Sequence, residues 1–162
     1  MSGTRVGLGY DVHAYLGEGE RSLVLGGVTF DGERGLAGHS DADVVAHAVI
    51  DALLGAAGLG DIGSHFPDTD PAFAGSDSLV LLRAASSSLH NAGWRAVNVD
   101  CAVVLDAPKL AAHRDAMQQR LSGAAGAPVT VKAKRSEGVG ALGRGEGIAC
   151  WAVALVEQVA TA

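Results

Sequence analysis

Residues 97–105 read Val-Asn-Val-Asp-Cys-Ala-Val-Val-Leu, and apolar side chains recur there at every second position. Because successive side chains of a strand point to opposite faces of a sheet, this alternation predicts a strand with one face in the core. Residues 148–156, Ile-Ala-Cys-Trp-Ala-Val-Ala-Leu-Val, are apolar at every position. A strand of that kind is usually covered on both faces, by helices or by another subunit. These two segments predict a sheet at the centre of the protein.

Shorter strands and helices fill the rest of the chain. Further strands are predicted over 6–11 and 129–133, and a bent strand or hairpin over 23–30. Helices are predicted over 42–57, 78–91 and 109–123, with loops over 60–71 and 138–147. In the first helix Ser40 with Asp43 resembles an initial capping box, and Gly58 ends it. We therefore expect a single domain over residues 1–162, of the α+β (mixed α/β) class.

The composition limits the classes of protein to which the chain can belong. The formal net charge of -6 argues against a nucleic-acid-binding surface. No apolar run approaches the length of a membrane span, and the first residues lack the apolar stretch of a signal peptide, so we expect a cytoplasmic protein without a membrane partner. Cys101 and Cys150 lie in apolar runs without CxxC spacing, which is typical of buried, reduced thiols.

The first strand ends on a pair of residues that can bind a metal. Asp11 and His13 are two positions apart, so in an extended backbone their side chains point the same way while Val12 faces the core. Taken alone, an Asp-x-His pair is only weak evidence for a metal site. It gains weight from a second histidine in the first helix.

That histidine, His47, lies four residues from both Asp43 and Asp51, which places the three on one stripe of the helix. A lone helical histidine is more often a core or surface residue than a ligand. Together with Asp11 and His13, however, it supplies the two imidazoles and one carboxylate typical of a catalytic zinc site with an open position. Asp43 or Asp51 would then orient its second nitrogen.

Several loops are candidates for binding the rest of a ligand. His39 and Ser40 precede the first helix, whose N-terminus favours anions, and Ser40 can be an ordinary cap as well. Residues 61–63 and 66–70 are either a solvated acidic loop or a site for the hydroxyls of a sugar or polyol. Residues 105–109 close a strand and open a helix, where free backbone groups can read a base.

Cationic side chains surround the glycine-rich loop, namely Lys132, Lys134, Arg135 and Arg144. Cations together with exposed amides suit a phosphate-rich ligand. The loop matches neither a P-loop nor a dinucleotide fingerprint. A solvated charged turn is the alternative interpretation.

A series of motifs resembles the 2-C-methyl-D-erythritol 2,4-cyclodiphosphate synthase family. These are Asp11-Val-His13, His39-Ser-Asp-Ala-Asp-Val, Asp51-Ala-Leu-Leu-Gly, Gly60-Asp-Ile-Gly, Phe66-Pro-Asp-Thr-Asp-Pro, Ala107-Pro-Lys109 and Gly143-Arg-Gly-Glu-Gly-Ile-Ala. The similarity runs in the family's order from residue 6 to 156. Each motif alone is weak evidence, whereas the set is highly specific.

The resemblance implies an enzyme of non-mevalonate isoprenoid biosynthesis. It would be a homotrimer with active sites between neighbouring subunits, each with one four- to five-stranded mixed sheet, about three helices on one face, and the sheets packed around the trimer axis. The implied substrate is 4-diphosphocytidyl-2-C-methyl-D-erythritol 2-phosphate. Its 2-phosphate attacks the β-phosphorus, which releases CMP and closes a cyclic diphosphate, the reaction of a cyclising phosphorus-oxygen lyase. A phosphate monoester, with a second pKa of about 6, is already anionic at neutral pH, so no strong general base is needed.

Family roles follow residue by residue as implications of the resemblance. The implied zinc ligands are Asp11, His13 and His47. A second ion, magnesium or manganese, would bridge the diphosphate and Glu137. The implied catalytic residue, which would stabilise the transferring phosphoryl group, is His39. Arg135, at a position where the family has threonine, can stabilise the same group and is the second candidate catalytic residue. Phosphate contacts would come from Asp11, His13, His39, Ser40, Lys134, Arg135, Ser136 and Glu137.

The ribose would be held by Asp61, Ile62 and Gly63, and the erythritol portion by Phe66, Pro67, Asp68, Thr69 and Asp70. The cytosine would be held by Leu105, Asp106, Ala107, Pro108, Lys109, Leu110 and Ala111.

Two departures from the family pattern accompany these roles. Where the family carries threonines before Glu137, this chain has Lys134, Arg135 and Ser136, so the threonine geometry is lost and a cation is gained. Where the family often has an aromatic residue and Thr, this chain has Ala141-Leu142. In relatives that region lines a central trimer cavity that can hold an isoprenyl diphosphate. Arg144 keeps the anion contact there, and Ala141 lacks the aromatic ring.

Two other functions use the same residues. A metal-dependent nucleotide or phosphate-ester hydrolase would release CMP with an open diphosphate. A non-catalytic trimeric protein that binds metal or isoprenyl diphosphate would release no CMP.

Overall fold

The computed structural model describes residues 3–159, and a four-stranded mixed sheet forms its centre. The strands along the chain are β1 (Thr4–Ala14), β2 (Ser22–Leu25), β3 (Val28–Arg34), β4 (Trp94–Val104), β5 (Val129–Lys134) and β6 (Gly147–Gln158). The main sheet has the order β1-β6-β4-β5, in which β4 and β5 run parallel and the other pairs antiparallel. β2 and β3 form a separate antiparallel hairpin.

Three long helices and short helical turns complete the fold. They are α1 (Val44–Ala57), α2 (Ile62–His65), a 3-10 turn (Pro71–Phe73), α3 (Ser78–Asn91), α4 (Arg114–Ala125) and α5 (Gly140–Gly143). The predicted mixed sheet, hairpin and helix-bearing face are confirmed. The third predicted helix begins at Arg114 rather than at residue 109, and residues 105–113 form a loop before it. The first strand continues past Asp11 to Ala14, because β6 pairs with it along its whole length.

The sheet and α1 approach each other unusually closely at two glycines of β1. A Cβ atom on Gly9 would lie 1.9 Å from the Ala48 carbonyl oxygen, and one on Gly7 would lie 2.0 Å from the Ala52 carbonyl oxygen. Because glycine has no side chain, the backbone of α1 can pack directly against β1 at these two positions. The close contact sets the distance between His47 on the helix and the polar end of β1.

We expect Gly9→Ala to lower the free energy of unfolding by about 1–3 kcal/mol or more, because the added methyl cannot fit without moving the α1 backbone. Gly123→Ala in α4 is the matched control. A Cβ at Gly123 meets open space, and alanine should stabilise the helix by about 0.5–1 kcal/mol. Urea unfolding of both variants measures the difference. Equal unfolding midpoints for Gly9→Ala and the unaltered protein would show that the close approach is not required.

Asp43 fixes the beginning of α1 and joins it to the β2–β3 hairpin. Its fully buried carboxylate accepts hydrogen bonds from the amides of Val45 and Ala46, both at 3.1 Å, and from those of Gly26 at 2.9 Å and Gly27 at 2.6 Å. Burial, aided by a neighbouring carboxylate, raises the pKa of Asp43, and these amide donors oppose the rise. Asp43, rather than the predicted Ser40, is therefore the N-cap of α1.

The face of β1 and β6 that points away from the helices is apolar and exposed. Val6 and Leu8 are 67% and 66% exposed, and the other members are Tyr10, Val12, Trp151 and Val153. The prediction that Val12 faces the core is wrong, because α1 covers the opposite side of β1, where Asp11 and His13 lie. Among residues 3–159 no helix is both long and apolar enough to cross a membrane.

Candidate functional site

Asp11, His13 and His47 converge, as the sequence predicts, into a group of side chains that could hold a metal ion. The Oδ2 atom of Asp11 lies 2.9 Å from Nε2 of His13 and 3.0 Å from Nδ1 of His47. The two imidazole nitrogens are 3.2 Å apart. β1 supplies the first two residues, and α1, held against its glycines, supplies the third.

The other nitrogen of each imidazole has a partner in the protein. Nδ1 of His13 lies at hydrogen-bond distance from the Ala37 carbonyl, so it donates. Nε2 of His47 lies 2.9 Å from the Ser78 hydroxyl and 3.0 Å from the Ser40 hydroxyl. Nε2 of His13 and Nδ1 of His47 are therefore the nitrogens that face Asp11, and they are the atoms that could bind a metal.

A chain of hydrogen bonds continues from His47 through Ser78 to the half-buried carboxylate of Asp41. The Ser78 hydroxyl, fully buried, donates to Oδ1 of Asp41, and the Ser78 amide donates to Oδ2 of Asp41 at 3.1 Å. The expectation that Asp43 or Asp51 orients His47 is therefore wrong. Asp43 caps the helix, and Asp51 accepts from the Ile62 amide at 2.7 Å.

Mutual attraction sets the charges of the group. Burial raises the pKa of Asp11, but hydrogen bonds and charge interactions with the two imidazoles outweigh it, and the pKa falls well below the usual range of an aspartate. Burial lowers the pKa of His13, but hydrogen bonding to Asp11 and the charge of that carboxylate raise it to a net value above that of a free imidazole. Asp11 is therefore ionised at neutral pH and attracts a cation.

The donor set fits a tetrahedral divalent metal. Three ligand atoms at about 2.0–2.1 Å from a tetrahedral zinc ion lie about 3.3 Å from one another, close to the 2.9 to 3.2 Å found here. Two neutral imidazoles and one carboxylate leave one coordination position open, as in catalytic zinc sites. The residues present could therefore hold a divalent metal with room for a ligand.

The three residues lie at one end of a cavity of about 400 Å³. Most of its remaining wall consists of residues that the sequence predicts to bind substrate, namely His39, Ser40, Ile62, Gly63, Phe66 and Asp68. The wall also includes Gly38, Phe73 and Leu81, which sequence reasoning missed. The candidate metal ligands, the loop that precedes the α1 N-terminus and a partly apolar wall thus open onto one space.

The other predicted residues of the 61–70 segment shape its backbone. Asp61 caps α2 and accepts from the Ser64 amide at 2.8 Å, and Asp70 accepts from the Ala72 amide at 2.9 Å. Pro67 and Thr69 lie between these caps. In this structure the segment is a series of short capped turns around the cavity.

A second cavity of about 350 Å³ gathers most of the residues predicted to bind a base. Its wall consists of Leu105, Asp106, Pro108, Lys109, Leu110, Ala111, Ala133, Lys134 and Arg135. Asp106 organises its rim, because it accepts from the Ser136 hydroxyl at 3.2 Å and lies 3.8 Å from Nε of Arg135. Ala107 lines a smaller neighbouring cavity.

The two cavities lie toward opposite edges of the sheet. Asp11 pairs with Cys150, Cys150 with Val103, and Val103 with Ala133. Three strand spacings of about 4.8 Å place the backbones of β1 and β5 about 14 Å apart at this height. The predicted phosphate and base sites are therefore separate within one subunit.

Two of the four cations predicted around the glycine-rich loop pair closely with neighbouring carboxylates. Lys132 pairs with Asp100, and Nε of Arg144 lies 2.6 Å from Glu146. Glu137 is exposed and has a positive φ of 53°, and in the part of the chain that the structure describes it belongs to no group able to hold a metal. Ala141 lies in the short helix α5 and is exposed.

Comparison with known proteins agrees with this arrangement. The model of the YgbB family matches residues 4–157. A protein of Bordetella petrii named 2-C-methyl-D-erythritol 2,4-cyclodiphosphate synthase is 57% identical over 157 residues, which cover 95% of this chain and 96% of the relative. One of the same name from Rubrobacter xylanophilus is 54% identical over 162 residues, which cover 98% of each chain.

Solved structures share the fold. A CDP complex of IspF from Plasmodium falciparum superposes with a TM-score of 0.83 at 31% identity, over 98% of each chain. The bifunctional IspDF of Campylobacter jejuni superposes with a TM-score of 0.92 at 37% identity, over 98% of this chain and 43% of that protein, so this chain spans less than half of the bifunctional protein's length. With its motifs, its fold and nearly its whole length matched, the chain belongs to the YgbB family, the family of the 2-C-methyl-D-erythritol 2,4-cyclodiphosphate synthases.

Proposed function

We propose that this protein converts 4-diphosphocytidyl-2-C-methyl-D-erythritol 2-phosphate into 2-C-methyl-D-erythritol 2,4-cyclodiphosphate and CMP, as a cyclising phosphorus-oxygen lyase of isoprenoid biosynthesis. The observation that carries the proposal is that Asp11, His13 and His47 meet at the end of a cavity whose wall also contains His39 and Ser40. The relatives' names state this product, and a related structure holds CDP. A cytoplasmic location suits the small, polar substrate.

Zinc is the proposed ion at Asp11, His13 and His47, where it would polarise a phosphate oxygen of the substrate. The protein's own contribution is to hold the two phosphates in line. The 2-phosphate needs no base, because it is an anion at neutral pH. The reaction then depends on positioning and on neutralising charge at the transferring phosphoryl group.

His39 and Ser40 are proposed to contact the diphosphate from the metal side, with His39 stabilising the transition state. Lys134, Arg135 and Ser136 would contact it from the base side, with Arg135 as the second stabilising residue. Arg135 is 73% exposed and points its guanidinium toward Asp106, which leaves donor groups for an anion. Glu137 would bind a magnesium or manganese ion together with the diphosphate.

The sugar and base contacts are proposed as the family resemblance assigns them. Asp61 to Gly63 would hold the ribose and Phe66 to Asp70 the erythritol portion, beside the metal cavity. Residues 105–111 would hold the cytosine in the second cavity. Arg144 and Ala141 would face the centre of the assembly.

A homotrimer is the proposed assembly, with each active site between two subunits. Two observations support it: the cavity that contains the candidate metal ligands and the cavity beside residues 105–111 are separate within one chain, and the face of β1 and β6 that includes Val6 and Leu8 exposes a patch of apolar side chains. Such patches mark association surfaces. A head-to-tail ring would bring the base cavity of one subunit against the metal cavity of the next.

The proposed activity is tested by incubating the zinc-loaded protein with magnesium and the cytidylyl substrate and measuring CMP by chromatography. CMP should form, and a chelator should stop its formation until zinc and magnesium are restored. If the metal-loaded protein releases no CMP, the result would contradict an enzymatic function. It would instead favour the alternative of a non-catalytic protein that binds metal or isoprenyl diphosphate.

Ser78→Ala should weaken zinc binding about 10- to 100-fold, because His47 loses a hydrogen bond that fixes its ring and tautomer. Zinc titration of the metal-free protein by calorimetry measures the change. The control is Ser87→Ala, which removes a hydroxyl from the exposed side of α3, the helix that also contains Ser78. This variant should bind zinc like the unaltered protein. Equal zinc affinities for the two variants would show that Ser78 does not support the site.

A further inference from the structure

Tyr15 lies two residues beyond His13 and spans the space between the metal-bearing strand and the loop of residues 105–111. Its hydroxyl donates to the Ala107 carbonyl at 2.9 Å. The Tyr15 amide donates to the Glu146 carbonyl at 3.0 Å, and the backbone of Tyr15 forms an isolated antiparallel β-bridge with Leu36. One side chain thus joins the end of β1 to the loop that forms the second cavity.

The phenol is itself held in place. The guanidinium carbon of Arg34 lies 5.1 Å from the centre of the Tyr15 ring, and Arg34 is fixed by two hydrogen bonds to the Leu16 carbonyl, at 2.9 and 3.2 Å. Arg34 therefore holds the ring in the position from which its hydroxyl donates to the Ala107 carbonyl.

Hydrogen bonds to Lys134 and Ser136 hold the other side of the loop of residues 105–111. The Leu105 amide donates to the Lys134 carbonyl at 3.0 Å, and Asp106 accepts from Ser136. Tyr15 adds a fixed point at the next residue, Ala107, from the opposite direction. Three successive residues of the loop, Leu105 and Ala107 through the backbone and Asp106 through its side chain, are thus tied to two different parts of the fold.

We propose that Tyr15 is a positioning residue that fixes residues 105–111 for binding the pyrimidine nucleotide part of the substrate. The inference builds on the proposed function, because that function assigns the cytosine to this loop. Among the described residues, Tyr15 is not part of the wall of the cavity that contains Asp11, His13 and His47. It acts through the Ala107 carbonyl, whose direction determines where the free backbone groups of the loop point.

Tyr15→Phe tests the inference, because it keeps the ring and its contact with Arg34 and removes only the hydroxyl. Cytidine 5′-diphosphate should bind this variant about two- to twelvefold more weakly in calorimetry, as expected for one neutral hydrogen bond. KM for the cytidylyl substrate should rise by a similar factor, kcat should stay within about twofold, and zinc affinity should be unchanged. Ser86→Ala, which removes a hydroxyl-to-carbonyl bond to Ala125 far from both cavities, should change none of these quantities.

The outcomes separate the inference from the function on which it builds. If Tyr15→Phe binds cytidine 5′-diphosphate as tightly as the unaltered protein, the inference is wrong while the proposed function stands. A fall in zinc affinity with unchanged nucleotide affinity would also overturn it, because the hydroxyl would then act on His13. If the unaltered protein neither binds the nucleotide nor releases CMP, the proposed function fails and the inference fails with it.

Discussion

Replacing Asp11 by asparagine should lower CMP release by more than about a hundredfold. Partners that merely orient metal ligands contribute about 10- to 100-fold to affinity or activity, and a ligand should contribute more. Asparagine keeps the shape of the side chain and removes the negative charge that lies 2.9 and 3.0 Å from the two imidazole nitrogens. The cation would then face two neutral imidazoles without a carboxylate.

Asp115→Asn is the matched control for this substitution. Its carboxylate is 94% exposed, at the start of α4, and it should leave CMP release unchanged. Far-ultraviolet circular dichroism of both variants checks that they are folded. Wild-type turnover by folded Asp11→Asn would show that the metal group does not carry the reaction.

Two inactive variants should restore each other's activity if each site lies between subunits. One variant is Asp11→Asn, which damages the metal half. The other combines Arg135→Ala with Glu137→Gln and damages the base half. When the two are co-produced with different tags and purified through both, each mixed ring has one site built from two intact halves. Such rings should recover about one third of the wild-type activity, because one of the three sites is whole.

The control is Asp11→Asn carrying both tags, taken through the same purification, which should stay inactive. Sites contained within one subunit predict a different result. Every subunit in the mixed rings would then carry a defect, and the mixture would be no more active than its parents. That result would contradict the head-to-tail arrangement. It would not contradict the proposed role of the metal group within each subunit.

The sequence predicts the metal group because its evidence is local. Asp11 and His13 are two apart on a strand, and the spacing alone sends both side chains to one side. The hairpin at Gly26-Gly27 is likewise predictable, because two apolar runs flank a pair of residues that both adopt positive φ. These features depend on neighbours in the chain, so periodicity and turn chemistry describe them.

The supports of the metal group depend on distant residues and could not be predicted in this way. Ser40 and Asp43 both have side chains suited to capping α1, and local rules do not reveal that the Ser40 hydroxyl turns toward His47. Ser78 is 31 residues from His47 and has the sequence context of an ordinary helix start. The side of β1 that α1 covers is decided by Gly7 and Gly9, which the apolar pattern of Val6, Leu8 and Tyr10 conceals.

The most direct test of the proposed reaction is phosphorus NMR of the zinc-loaded protein with magnesium and 4-diphosphocytidyl-2-C-methyl-D-erythritol 2-phosphate, with and without chelator. We expect the substrate resonances to be replaced by those of CMP and of a cyclic diphosphate, and the chelated sample to remain unchanged. CMP accompanied by an open diphosphate would contradict the account, because water rather than the 2-phosphate would then be the nucleophile.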